Sequence, residues 1–166
     1  MDTYEILKYP DKRLFVKALP VKEFEFGDNS LASIVEKMFA TMTHYKGIGL
    51  AATQVDIHKR IIVIEIDDNQ YTIINPEIMT VSENLAVTRE GCLSVPQVNG
   101  DVSRPESISI RYRDIKGNYQ EINATGLLAT CIQHEIDHLN GIVYVDRMKG
   151  LKRNMLLRKY DKINKY

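Results

Sequence analysis

Apolar residues fall along this chain in three patterns, each of which predicts an element. Leu31, Ile34, Val35, Met38, Phe39 and Met42 recur at the spacing of one helical face, with Asp28-Asn29-Ser30 offering an N-cap and Gly47 a stop. A long amphipathic helix is therefore predicted in the N-terminal half. The β-branched runs Ile61–Ile64 and Tyr71–Ile74, joined by Asp67-Asp68-Asn69-Gln70, predict a hairpin, and Ser107–Arg113 with Tyr119–Ala124 predict a second around Asp114–Asn118. Residues 125 to 140 form the third pattern, a helix apolar around most of its circumference that must run through the core, closed by Gly141 in the left-handed conformation. Residues 4 to 26, interrupted by Pro10 and Pro20, predict an arm with one short helical turn near Asp11 to Val16. Strands arrive as hairpins and not as β-α-β crossovers, so the expected class is α+β. Its antiparallel hairpins and sheets pack around the buried helix, and a C-terminal helix carries Leu151, Met155, Leu156 and Tyr160 as its apolar stripe.

Composition adds bounds. At 166 residues, with 44% hydrophobic and 27% charged, residues 1–166 read as one domain able to bury its core without disulfides. Basic and acidic residues number 22 each, which gives the whole molecule no reason to bind polyanions. The balance hides an asymmetry: residues 147–166 hold eight basic residues and one acidic, leaving the rest net negative. A solvated helix face is the ordinary reading of such a tail, and a phosphate-rich partner is the other. No basic leader precedes an apolar block and no run approaches the ~18 apolar residues of a span, so the expectation is a cytoplasmic protein with no membrane association. Cys92 and Cys131 are then expected to ligate metal, react or simply be buried, in preference to forming a disulfide.

The chemistry centres on His134-Glu135-Ile136-Asp137-His138. Histidines four apart sit above one another on one helical face and can chelate one metal ion, with Glu135 beside it as a proton-transfer group. Cys131 lies on the same side, but about 7.5 Å along the axis from a metal held by both histidines, against a Zn–S bond of ~2.3 Å. It is expected to line a pocket. Cys92, in the turn Glu90–Pro96, is either an inert buried cysteine or a third ligand brought from outside the helix. The strip Gly47-Ile48-Gly49-Leu50-Ala51-Ala52 is either a tight turn into the next strand or an uncovered backbone that another chain can approach.

The segments Gly47–Gln54, Glu90–Ser94 and Gln133–His138, taken together and in this order, resemble the bacterial peptide deformylase family. The likeness extends to Ile6-Leu7, Pro10-Asp11, Arg13-Leu14 and Leu19-Pro20-Val21, and so covers nearly the whole chain. The resemblance implies a catalytic domain that removes the formyl group from the initiator methionine of nascent chains, using one divalent metal held by Cys92, His134 and His138. It further implies Glu135 as general base and then acid, and the Gln54 side chain with the Leu93 backbone N–H as donors to the oxyanion. Ile48 and Gly49 would form the edge along which the peptide lies, and Ile48, Leu127, Cys131 and the ring of His134 would receive the methionine. Thr88 and Thr130 stand where many members carry aliphatic side chains, and Asn99 where some carry an arginine, which predicts a more polar or reshaped pocket. Glu90 and Arg104 resemble a pair that braces the Cys92 turn.

The donor set suits zinc and ferrous iron alike. Family resemblance implies Fe(II), with Zn(II), Ni(II) or Co(II) as substitutes, and a C-terminal helix that docks on ribosomal RNA. Two other classes share parts of the pattern: a metallopeptidase with the same helix, which would take its third ligand from a downstream Glu or His, and a non-enzymatic ribosome- or RNA-binding module.

Overall fold

The computed structural model describes residues 2–164; Lys165, one of the basic residues of the tail, lies outside them. In the N-terminal arm the predicted turn forms as a 3-10 turn at Lys12–Phe15, where the carboxylate of Asp11 accepts from the Arg13 N–H at 2.9 Å, and a second, unpredicted one forms at Glu23–Glu25. Helix α1, Asn29–His44, is capped by Asp28 and buries Leu31, Val35, Met38, Thr41 and Met42. It ends three residues before the predicted stop, because Lys46, at φ 60°, takes the left-handed position. Gly47 is there for a different reason: a Cβ would lie 2.7 Å from Leu93 Cδ1.

Seven strands follow: β1 Gly49–Ala51, β2 Ile61–Ile66, β3 Asn69–Val81, β4 Leu85–Cys92, β5 Val95–Pro105, β6 Ser107–Arg113 and β7 Tyr119–Thr125. Five form an antiparallel sheet in the order β1-β2-β3-β6-β7, and β4 and β5 pair separately as a long hairpin. The β2–β3 turn is tighter than predicted. Asp67 and Asp68 both take positive φ, which suits a two-residue turn matched to strand twist, and Asn69 and Gln70 already belong to β3. The β4–β5 pair was not predicted as strands; only its turn, carrying Cys92, was singled out.

Strand β2 reads as a continuous apolar run because both of its faces are covered. Ile61 and Val63 face α1, whereas Ile62 and Ile64 join Ile73, Ile108 and Ile110 against helix α2, Gly126–Leu139. The predicted core helix is thus confirmed, with every residue from Cys131 to Leu139 buried and Gly141 at φ 78° after its end. Its opposite side meets the β4–β5 hairpin.

A 3-10 turn, Tyr144–Arg147, leads into helix α3, Gly150–Ile163. α3 packs on β5, where Gly100 is needed because a Cβ would fall 2.5 Å from Met148 Sδ and 2.9 Å from Leu156. The buried residues of α3 are Leu156 and Tyr160, with Leu157 half-buried; Leu151 and Met155, assigned to the stripe by sequence, are exposed. No helix among the described residues is long and apolar enough to cross a membrane.

Candidate active site

Helix α2 sets His134 and His138 one turn apart, with ring centroids 5.0 Å from each other. Cys92 reaches them from the last position of β4, its Sγ 3.2 Å from His138 Nε2. The ligand atoms of Cys92, His134 and His138 all lie within 4.8 Å of one another, and Cys131 is not in the group. Among the described residues no Glu or His downstream of α2 joins it, so the metallopeptidase arrangement is absent there.

These residues fit a single divalent cation on three counts. The thiol and two imidazoles are a donor set that such ions accept. Glu90 Oε1 sits 2.8 Å from His134 Nδ1, which leaves Nε2 of that ring free to ligate. Burial pushes His138 well below its usual range, favouring the neutral imidazole that ligation needs, whereas at His134 the charges of Glu135, Cys92 and Glu90 overcome burial and raise it. That surplus of negative charge around a buried ring is what a bound cation would balance.

Glu135 is 4% exposed, its Oε1 has no hydrogen-bond partner, and burial raises its pKa to about 7. Gly49 of β1 makes room for it: a Cβ there would lie 2.7 Å from both Glu135 Oε2 and Cys131 Sγ. Cys131 is a neutral wall, its thiol raised by burial and then by Glu135 and Glu90. Gln54, in the 3-10 turn Ala52–Val55, accepts from the Ala51 N–H through Oε1 at 2.9 Å. Its Nε2 is thereby aimed at Ser94 Oγ, 3.1 Å away, and at Cys92 Sγ, 3.5 Å away.

A cleft of about 490 Å³ joins these groups. Ile48, Gly49, Leu127, Thr130, Cys131 and Glu135 line one side, and Glu90–Leu93 with Asn99 the other. β1 is the end strand of its sheet and pairs only with β2, so its second edge is open beside the cleft. Thr88 is a correction: it is not among the lining residues, because it lies opposite Val102, further from the Cys92 end of β4, and the strand reaches the cleft only from Arg89 onward. Tyr45, Lys46, Arg89 and Gln97 at the cleft mouth were missed, since nothing in their spacing marks them. Ser94 was missed too, although its place two residues after Cys92 could have drawn notice.

Glu90 and Arg104 form a buried bidentate pair, at 2.6 and 3.0 Å. Burial would raise Glu90, but its hydrogen bonds to His134 and Arg104 dominate and lower it. The pair is thus part of the site and not an independent surface contact.

A buried helix that brings two imidazoles to a cysteine from a neighbouring strand, with a carboxylate beside them and an open cleft alongside, defines a metal-dependent hydrolase. Comparison with known proteins gives the family. Residues 3–154 match the model of the polypeptide deformylase family. Peptide deformylase 2 of Xanthomonas campestris pv. campestris is 46% identical over 164 residues, 97% of this chain and 96% of that one. The crystal structure of a peptide deformylase from Legionella pneumophila has a TM-score of 0.92 at 42% identity, covering 99% of this chain and 96% of that one. The Met-Ala-Ser-bound crystal structure of class I type b peptide deformylase from Acinetobacter baumannii has a TM-score of 0.86 at 35% identity, covering 89% and 99%. This chain belongs to the polypeptide deformylase family, metal-dependent hydrolases that remove the formyl group from N-terminal methionine.

Proposed function

We propose that residues 1–166 form one catalytic domain that releases formate from formyl-methionyl nascent peptides, with Cys92, His134 and His138 holding its metal. The observation that carries this is the buried carboxylate of Glu135, with one oxygen unpartnered, on the same helix as two imidazoles that face a cysteine. A divalent cation so held would polarise water and the formyl carbonyl. Glu135 takes the water's proton and hands it to the departing amine, a double role suited to a pKa of about 7. Gln54 Nε2, oriented by the Ala51 N–H, and the Leu93 N–H donate to the formyl oxygen as it gains charge. The peptide adds to the open edge of β1 at Ile48 and Gly49, and its methionine lies among Ile48, Leu127, Thr130 and Cys131. The tripeptide in the Acinetobacter relative begins with methionine, which supports this orientation. In the test, formyl-Met-Ala-Ser should yield formate and intact Met-Ala-Ser; cleavage of the peptide backbone, or formate release unaffected by Glu135→Ala, would overturn the reading.

Ferrous iron is the cellular metal in this proposal, with zinc, nickel or cobalt as substitutes. Activity lost in air and restored by nickel or cobalt supports it, and full activity of a zinc-only preparation in air refutes it. The exposed Lys152, Arg158, Lys159 and Lys162 of α3 would face ribosomal RNA, where nascent chains emerge in the cytoplasm. Reversing these four charges should weaken ribosome co-sedimentation at low salt and leave cleavage of a short formyl peptide intact. Unchanged sedimentation refutes the contact.

A further inference from the structure

The ion pairs behind His134 do not stop at Arg104. Its guanidinium is buried and forks, with Nε and Nη2 on Glu90 and Nη1 on Asp137 Oδ2 at 2.9 Å. Asp137, beside His138 and buried, accepts in turn from Arg147, at 3.0 Å from Nε and 2.7 Å from Nη2. The Arg147 side chain is 47% exposed. One path of five side chains, with no link longer than 3.0 Å, therefore runs from the surface to Nδ1 of His134.

Charge fixes what Arg147 does there. The buried stretch contains two carboxylates, Glu90 and Asp137, and one guanidinium, Arg104. Arg147 supplies the missing cation. Without it Asp137 has Arg104 as its only cationic partner, and full satisfaction of Asp137 would draw that guanidinium off Glu90. A buried carboxylate tolerates little loss of partners, so the strain passes on to the Glu90–His134 bond. The turn that ends in Arg147 also touches His134 directly, because the ring of Tyr144 stacks on the imidazole at 5.8 Å and 29°.

We propose that Arg147 is a positioning residue for His134: by satisfying Asp137 it keeps Arg104 on Glu90, and Glu90 then holds the imidazole with Nε2 turned to the metal. The proposal rests on His134 being a ligand, and the experiment separates the two ideas. The full chain is loaded with cobalt, and the rate of metal loss to a chelator is followed for the parent, Arg147→Met, Arg147→Lys, Asp137→Asn and the Arg147→Met/Asp137→Asn pair. Circular dichroism confirms folding, and kcat and KM are measured on formyl-Met-Ala-Ser. Partners behind a ligand carry about 10- to 100-fold in metal affinity or activity, and Arg147 is four links from His134, so Arg147→Met should release cobalt about tenfold faster. Its kcat should fall with KM unchanged, and Arg147→Lys should recover part of both. In the Asp137→Asn background, Arg147→Met should add little. Metal loss and kcat within twofold of the parent, or an undiminished effect in the Asp137→Asn background, would overturn the proposal. His134→Ala retaining cobalt as tightly as the parent would overturn the ligand assignment itself.

Discussion

Gly49→Ala tests whether the edge strand and the carboxylate of Glu135 are as tightly fitted as they look. The new Cβ would sit 2.7 Å from Glu135 Oε2 and from Cys131 Sγ, and ordinary contact begins at 3.4 Å. Backbone β1 is held by β2, with Gly49 opposite Ile64, so the side chains must move. Cys131 Sγ and the Glu135 carboxylate must therefore each retreat by about 0.7 Å. Misplacement by ~1 Å costs on the order of 10²-fold, so a loss of about 30-fold in kcat, or roughly 2 kcal/mol of barrier, is expected. Overpacking should also cost about 1–3 kcal/mol of stability, read as a lowered thermal midpoint. The assay is formate release under saturating formyl-Met-Ala-Ser, with KM measured alongside to separate peptide binding from chemistry. Gly47→Ala is the comparison: its Cβ meets the far end of the half-buried Leu93 side chain, which can swing into the cleft and spare Glu135. A Gly49→Ala enzyme with kcat within threefold of the parent would refute the fit.

Three further outcomes follow from the same contacts. Glu135→Gln should abolish formate release yet retain metal, and raise the thermal midpoint, because a neutral amide replaces a buried carboxylate that lacks a partner at Oε1; a lowered midpoint would refute that account. Glu90 is held below its ordinary 4.5 when folded, so the stability it lends is complete above about pH 4.5 and is lost as pH falls through the lowered value. Glu90→Gln should therefore flatten the acid limb of a midpoint-against-pH curve, and a curve merely shifted in parallel would count against the assignment. Removing residues 150–164 takes Leu156 and Tyr160 out of the core and breaks the Tyr160 hydroxyl's bond to the Tyr9 carbonyl at 2.7 Å. At about 2–5 kcal/mol per large side chain, out of a typical ~5–15, the truncated chain should unfold far below the parent; an unchanged midpoint would show that α3 packs loosely.

Elements whose inward positions are uniformly apolar were legible in the sequence, and so was α2, which carries the histidines; the hairpin that completes the site was not. α1 and the runs of β2 and β6 announce themselves by period. The β4–β5 hairpin hides because its inward positions include Thr88 and Glu90 on β4, and Gly100 and Arg104 on β5. A glycine is required there by Met148 and Leu156, and two charges by His134 and Asp137, so local function overrides the alternation that marks a strand. α3 was placed correctly but only half of its stripe was, Leu156 and Tyr160 being buried and Leu151 and Met155 exposed. Leu156 and Tyr160 can share an apolar face either with Leu151 and Met155 or with Leu157, and only packing on β5 chooses the second, with the Arg153 side chain reaching the Val145 carbonyl at 3.1 Å. For the same reason Arg147 and Arg153 read as solvated charges in a basic tail, although both have partners in the fold.

The metal helix itself shows why a buried stretch this polar is tolerated. Gln133, His134, Glu135, Asp137 and His138 are all buried, at a cost of about 1–3 kcal/mol for each group left unsatisfied. Gln133 donates to the carbonyls of Pro105 and Ala129, Asp137 takes two arginines, His134 has Glu90, and His138 meets Cys92. Glu135 alone has neither a hydrogen bond at Oε1 nor an arginine, and its pKa rises accordingly. Had the fold supplied that partner as it did for Asp137, the carboxylate would be pinned and ionised, unable to pass a proton on near neutral pH. On this helix two buried atoms go without a partner, Nδ1 of His138 and Oε1 of Glu135, and the second is the atom that the chemistry needs free.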